Sequence, residues 1–144
     1  NKYLNAHLFL RNKGTSKDID VHTLNIRGKF YCDKQVITKL MNIGDIFVTQ
    51  GFIAHTSDRQ YCVLTRSGSN TSASLIASKI GAERLEIWTD VCGLYTADPR
   101  KVPEAELIPH IGYSICQEAA AMGSQLIHPF SIKPCQKKHI PILL

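Results

Sequence analysis

One juncture constrains the fold more than any other: the apolar Ile87-Trp88 runs straight into Thr89-Asp90-Val91-Cys92-Gly93-Leu94-Tyr95-Thr96-Ala97-Asp98-Pro99-Arg100. The run ending in Trp88 reads as a buried strand. The loop behind it holds two carboxylates, two Thr hydroxyls, a Tyr and an Arg. Polar groups gathered where a buried strand ends are what an open α/β sheet presents to a ligand. On residue chemistry, Arg100 can fork onto a phosphate and Asp90 can accept from a ribose hydroxyl, which makes a nucleotide or anion site. The same residue types also suit an ordered surface loop with no ligand.

The rest of the chain supplies the elements such a sheet needs. Residues 1 to 31 carry only weak apolar patches around a turn at Gly14-Thr15-Ser16, and the first patch, Tyr3-Leu4 with Leu8-Phe9-Leu10, reads as the end of a helix. Val36, Ile37, Leu40 and Met41 recur at helical spacing behind Asp33 as cap, with Gly44 as the stop. Ile46-Phe47-Val48-Thr49 is a buried strand by composition, and Phe52-Ile53-Ala54 with Tyr61-Cys62-Val63-Leu64 flanks a hairpin loop at residues 56 to 59. The reversal there makes the sheet mixed. A small-residue loop, residues 65 to 72, opens a helix whose expected core face is Ala73, Ile76, Ala77 and Ile80, closed by Gly81. Its start favours an anion beside Arg66, although capping alone explains a Ser- and Gly-rich helix start. Ser114-Ile115-Cys116-Gln117 has capping-box spacing, Pro129 suits a first helical position with a helix to about Lys138, and residues 140 to 144 form a terminal strand.

Length and charge narrow the class. The chain has 144 residues, one domain's worth, with 44% hydrophobic residues and no run long enough to span a membrane. It lacks the apolar block of a signal peptide, and its start at Asn1 rather than Met reads as a piece of something longer. Lys and Arg outnumber Asp and Glu by 17 to 12, and the excess lies in residues 1 to 40, with eight basic groups against three acidic. Those lysines are scattered without interleaved aromatics, so nucleic acid is not the expected partner. The five cysteines, at 32, 62, 92, 116 and 135, are odd in number and widely spaced, which excludes a Cys-x-x-Cys knuckle and points to a reducing cytoplasm.

The spelling Trp-Thr-Asp-Val-x-Gly-x-Tyr-Thr-x-Asp-Pro-Arg over residues 88 to 100 resembles the nucleotide loop of aspartokinases, members of the amino acid kinase family. The resemblance extends from about Asp45 to Leu144. It includes Val48-Thr49-Gln50-Gly51-Phe52-Ile53, the Arg66-Ser67-Gly68-Ser69-Asn70 segment and Gly123-Ser124-Gln125-Leu126-Ile127-His128-Pro129. It implies an α/β fold, a three-layer αβα sandwich of the amino acid kinase type with a mostly parallel sheet and a β-hairpin, of which residues 1 to 144 would be a part. The implied reaction is transfer of the γ-phosphoryl of ATP, with Mg2+, to the side-chain carboxylate of L-aspartate, a first step towards lysine, threonine and methionine. Such a reaction depends on positioning two anions and cancelling charge on the transferring group.

Carried over by position, Arg66 would hold the α-carboxylate of aspartate, with Phe52 and Ser69 lining the same pocket. Thr89, Asp90 and Tyr95 would meet the nucleoside, Arg100 the phosphates, and Gln125 and Leu126 would complete the nucleotide side; no residue is assigned to a metal. Departures accompany the matches. Asn70 stands where the family has the Asp that organises the reacting groups, and Gln125 stands where it has a Lys. The family's opening Lys-x-Gly-Gly strand-loop and its Glu on the aspartate side are absent from these residues. Charges lost at a phosphoryl-transfer site each cost powers of ten in rate, which implies little or no activity for the chain alone. Three readings follow: a C-terminal half of an aspartokinase catalytic domain, a pseudokinase-like module that binds ligand or only a partner, and another amino acid kinase, which the spelling of residues 88 to 100 disfavours. Half a sandwich exposes apolar faces, so homo-oligomerisation or association with further segments is expected.

Overall fold

The computed structural model describes residues 2–4, 10–12, 30–32, 38, 46–64, 66–122 and 127–144. The helix expected behind Asp33 falls outside them, apart from helical Thr38. The described elements run β1 (Lys2–Leu4), β2 (Leu10–Asn12), β3 (Phe30–Cys32), β4 (Phe47–Thr49), β5 (Ile53–His55), β6 (Tyr61–Val63), α1 (Gly68–Ile80), β7 (Leu85–Glu86), α2 (Tyr113–Ala121), α3 (Pro129–Gln136) and β8 (Ile142–Leu143). The described residues of the first apolar patch, Tyr3, Leu4 and Leu10, lie in strands, correcting the helix end expected there, and Leu8 and Phe9 lie outside the described residues: three extended residues are too few to show a period. β1 lies parallel to β4, with Lys2 beside Phe47 and Leu4 beside Thr49.

The sheets mix directions as the hairpin requires. β5 and β6 pair antiparallel, Ile53 opposite Val63 and His55 opposite Tyr61, and β5 continues through β2 to β3 in the order β3-β2-β5-β6. The hairpin turn is built by Thr56, wholly buried, whose hydroxyl binds Asp58 Oδ1 and accepts from the Gln60 amide. Arg59 takes the left-handed conformation there, φ 63°. β7 and β8 form a separate parallel pair, Leu85 beside Ile142.

Strand β4 is less covered than its composition suggests. Val48 is 45% exposed and Ile46 67%, so the expected buried strand is a part-exposed one. The face of α1 differs in a related way. Its buried residues are Gly68, Thr71, Ser72, Ser74, Leu75 and Ala77, whereas Ile76 is half-buried and Ile80 39% exposed. The helix turns its small hydroxyl residues towards α3 because these make the closest contacts. Thr71 Oγ1 and Ser131 Oγ stand 3.0 Å apart, and Ser74 Oγ lies 3.2 Å from Cys135 Sγ. Polar groups buried in this way are tolerated because each finds a partner. Around that seam Ala77, Leu85, Cys135 and Ile140 form an apolar cluster, flanked by Ala73, Ala82, Ile87 and Ile142.

Helix ends follow local chemistry. Gly81, at φ 67°, closes α1 by donating its amide to Ala77. α2 begins one residue before the expected capping box, with Gly112 as N-cap and no side-chain cap. Ser114 therefore lies inside the helix, and the Tyr113 hydroxyl anchors the start by donating to the Ile140 carbonyl at 2.5 Å. α3 has Pro129 at its first position, as expected, and His128 Nδ1 accepts from the Phe130 amide. It stops at Gln136 rather than Lys138, and His139 turns left-handed at φ 54° ahead of β8.

Cys62, Cys92, Cys116 and Cys135 are free thiols: Cys62 and Cys135 are buried, Cys116 is half-buried and Cys92 exposed. Burial pushes the Cys62 thiol from 9.0 up to about 11. Because the folded chain keeps a proton that the unfolded chain releases, this thiol's contribution to stability should decline as pH rises from about 9 towards 11. Timed alkylation at pH 8 with mass-spectrometric mapping should modify Cys92 first and leave Cys62 and Cys135 unmodified until the chain unfolds.

Candidate functional site

Two groups of residues singled out by sequence reasoning occupy distinct places. The first lies where the turn after β4 meets the start of α1. Gly51 sits so close to Ser69 that a Cβ on it would stand 2.9 Å from the Ser69 Cα. Gly68 is tighter still, since a Cβ there would come within 2.3 Å of Phe52 Cδ2 and 2.7 Å of Leu64 Cβ. The absence of two side chains lets the strand–turn and the helix start touch, and so brings Phe52 and Ser69 together. Phe52 itself is left-handed, φ 72°, and 38% exposed. Its amide donates to Ser72 Oγ at 3.0 Å and its carbonyl accepts from the Leu64 amide at 2.8 Å.

Arg66 is exposed and precedes the helix by one turn residue, Ser67, which is the N-cap in the left-handed conformation (φ 58°, ψ 33°). No side chain caps this start, so the first amides of α1 are available to an anion and the dipole favours one. Asn70 is half-buried in the first turn.

A cavity of about 420 Å³ runs along one face of α1. Its polar end is formed by Thr49, Gly51, Ser69 and Ser72, and its floor by Ile76 and Ile80, the residues the expected core face would have buried elsewhere. Arg84 stands on its wall and is paired with Glu86 at 2.5 Å. Volume and mixed lining suit a small polar molecule. Of the predicted residues that are described, only Ser69 lines it; neither Arg66 nor Arg100 does.

The second group is the loop after β7. Here the expectation of a buried Trp88 is corrected: the ladder ends at Glu86 and Trp88 is 90% exposed. Strand alternation explains this, since Leu85 and Ile87 turn inward while Glu86 and Trp88 share the outer face. The Glu86 carboxyl is held below its ordinary range first by the Arg84 hydrogen bond and also by the Trp88 side chain.

Beyond Trp88 the loop is folded on itself. Thr96 and Glu106 exchange backbone contacts, the Thr96 amide donating to the Glu106 carbonyl at 2.9 Å and Thr96 Oγ1 accepting from the Glu106 amide at 2.9 Å. Tyr95 bridges to Leu107 and is half-buried, and the neighbouring Cys92 raises its phenol above the ordinary value. Thr89 and Asp90 are exposed, the threonine hydroxyl donating to Asp90 Oδ1 at 3.1 Å. The Arg100 guanidinium lies against Asp98, Nε to Oδ1 at 3.1 Å and Nη2 to Oδ2 at 3.4 Å, and lowers that carboxyl's pKa. Gln125 and Leu126 lie outside the described residues. Among the described residues no group of three or more His, Cys, Asp or Glu gathers to hold a metal, and no helix is long and apolar enough to cross a membrane.

Sequence reasoning missed the contribution of Ser72, Gly68 and Gly51. The two glycines carried a signal, as each falls beside a residue singled out for the site. The serine carried none, because its partner is 20 positions away.

Comparisons with known proteins bear on the family and the fold. The amino acid kinase family profile matches residues 1–144. The chain is 40% identical over 111 residues to a bifunctional aspartokinase/homoserine dehydrogenase of Buchnera aphidicola, covering 77% of this chain and 14% of that protein. It is 40% identical over 99 residues to an aspartokinase of Chlamydia trachomatis, covering 69% of this chain and 23% of the other. Among solved structures, aspartokinase III of E. coli, in complex with aspartate and ADP, superposes with a TM-score of 0.76 at 28% identity, over 98% of this chain and 31% of that one. The chain therefore spans less than a quarter of the length of those two sequence relatives, and its α/β fold is that of aspartokinases. On these grounds the chain belongs to the amino acid kinase family.

Proposed function

We propose that residues 1 to 144 form part of an aspartokinase catalytic domain, in which the start of α1 takes L-aspartate and the loop at 88–100 takes ATP. The observation that carries the reading is the contact between Phe52 and the start of α1 at Gly68, beside Arg66 and an uncapped helix start. An amino acid there would place its α-carboxylate on the Arg66 fork and its apolar carbons against Phe52. The exposed Thr89 and Asp90 would meet the ribose or base, with Tyr95 packing nearby. Arg100 would exchange Asp98 for a phosphate, a partner of greater charge. Mg2+ would arrive on the ATP phosphates. Support also comes from the E. coli neighbour, whose structure holds aspartate and ADP.

With both substrates held, the step asked of the protein is alignment: a side-chain oxygen of aspartate attacks the γ-phosphorus and ADP leaves. Gln125 can donate to a phosphate oxygen but brings no charge, and Asn70 supplies an amide where a carboxylate would organise the reacting groups. These two substitutions favour a second reading, a module that binds both ligands and turns over slowly or not at all. The exposed Trp88, Ile115 and Met122 support association with a second copy or with further chain.

Calorimetric titration with L-aspartate and with ATP-Mg2+ tests both readings. Binding of both ligands with measurable phosphoryl transfer is the expected outcome for the kinase; binding without transfer supports the second reading. No binding of either ligand rejects both and leaves a scaffold that only pairs with a partner. In the full-length protein, Asn70→Asp combined with Gln125→Lys should raise turnover at least tenfold, and an unchanged rate would reject the claim that these positions limit it.

A further inference from the structure

We infer that Ser72 is a positioning residue that sets the acceptor side of the site by locking Phe52 in its left-handed turn. The inference rests on the reading of Phe52 as part of the aspartate pocket. Ser72 is 2% exposed and its hydroxyl both donates and accepts a hydrogen bond. It donates to the Gly68 carbonyl at 3.0 Å, one turn back on α1, which directs an oxygen lone pair at the Phe52 amide 3.0 Å away.

A residue with a Cβ resists φ 72° unless its surroundings impose it. Three contacts impose it here. The Leu64 amide holds the Phe52 carbonyl, Gly68 accommodates the ring, and Ser72 holds the amide. The first comes from the strand on the far side of the hairpin and the second is permissive. Of the three, Ser72 supplies the hydrogen bond that ties the turn to the helix whose first residues would hold the ligand. Ser72 also lines the cavity beside Ser69, a residue of the proposed pocket. Alanine there leaves the Phe52 amide without its acceptor, and the turn can relax towards ordinary φ, carrying the ring off Gly68.

The test compares the wild-type chain with Ser72→Ala and Ser72→Thr, using L-aspartate and ATP-Mg2+ as separate titrants and following hydrogen exchange at the Phe52 amide. Ser72→Ala should weaken L-aspartate binding about tenfold, leave ATP-Mg2+ binding unchanged, and speed Phe52 exchange about tenfold. Ser72→Thr keeps the hydroxyl and should stay within about twofold of wild type on all three readings. If Ser72→Ala does not fold, Ser72→Cys, a weaker acceptor of similar size, should show the same pattern reduced. Unchanged aspartate affinity in Ser72→Ala, or an equal loss for ATP-Mg2+, would overturn the inference in favour of a purely structural serine. A wild type that binds no L-aspartate rejects the functional reading and with it the ligand part of this inference; the Phe52 exchange rate then still decides whether Ser72 holds the turn.

Discussion

Replacing Arg66 with alanine is expected to weaken L-aspartate binding by at least about 100-fold, as two charge-assisted hydrogen bonds together contribute roughly 3 kcal/mol even at an exposed site. Arg66 is exposed and precedes α1 by a single residue, so its removal leaves the helix and its packing intact. Arg66→Lys keeps the charge but loses the planar fork and should fall between, with a loss of about tenfold. Titration calorimetry of both variants, with thermal unfolding as control, separates ligand contact from stability. An unchanged affinity in Arg66→Ala would mean that the carboxylate is held elsewhere. The uncapped start of α1 alone would then have to supply the binding.

The second large effect concerns the scaffold. Ile132, on α3, is 1% exposed and flanked by the Ser131 and Cys135 contacts to α1. Ile132→Ala removes buried carbons from the seam that positions α1, and its neighbours cannot close the gap without breaking those contacts. The expected cost is about 2–5 kcal/mol in urea unfolding, with a midpoint temperature lower by on the order of 10 °C. A loss under about 0.5 kcal/mol would show that the seam is loosely packed.

Much of this arrangement was legible in the sequence, for reasons that differ by element. The hairpin was readable because β-branched and aromatic runs flank a polar turn, and the strands pair as those runs predict. α1 was readable because Gly81 marks its end. Its buried face was not, since the pattern weighs Ile76 and Ile80 above Thr71 and Ser74, while the contact with α3 is made through hydroxyls and a thiol. Trp88 misled for a simpler reason. A run of apolar residues predicts burial, but two-residue alternation sends the indole to the same face as Glu86. β1, β2 and β3 are three-residue strands, too short for a period, and two of them find partners more than 40 positions away.

For the site, the aspartokinase spelling pointed to Phe52, Arg66 and Ser69, and the fold brings Phe52 and Ser69 to one place. The spelling of residues 88 to 100 identified a polar loop, but not that Arg100 would be occupied by Asp98. Left-handed backbone at Phe52 is invisible in a sequence because only glycine advertises that region.

The central claim is that Arg66 and Arg100, 34 positions apart, serve one amino acid and one nucleotide bound side by side. A crystal structure of the protein with L-aspartate and ADP tests it most directly. The account predicts the α-carboxylate within about 3 Å of the Arg66 guanidinium and the ADP phosphates within similar reach of Arg100, freed from Asp98. Guanidinium groups directed to opposite sides of the sheet, with the ligands bound elsewhere, would contradict it.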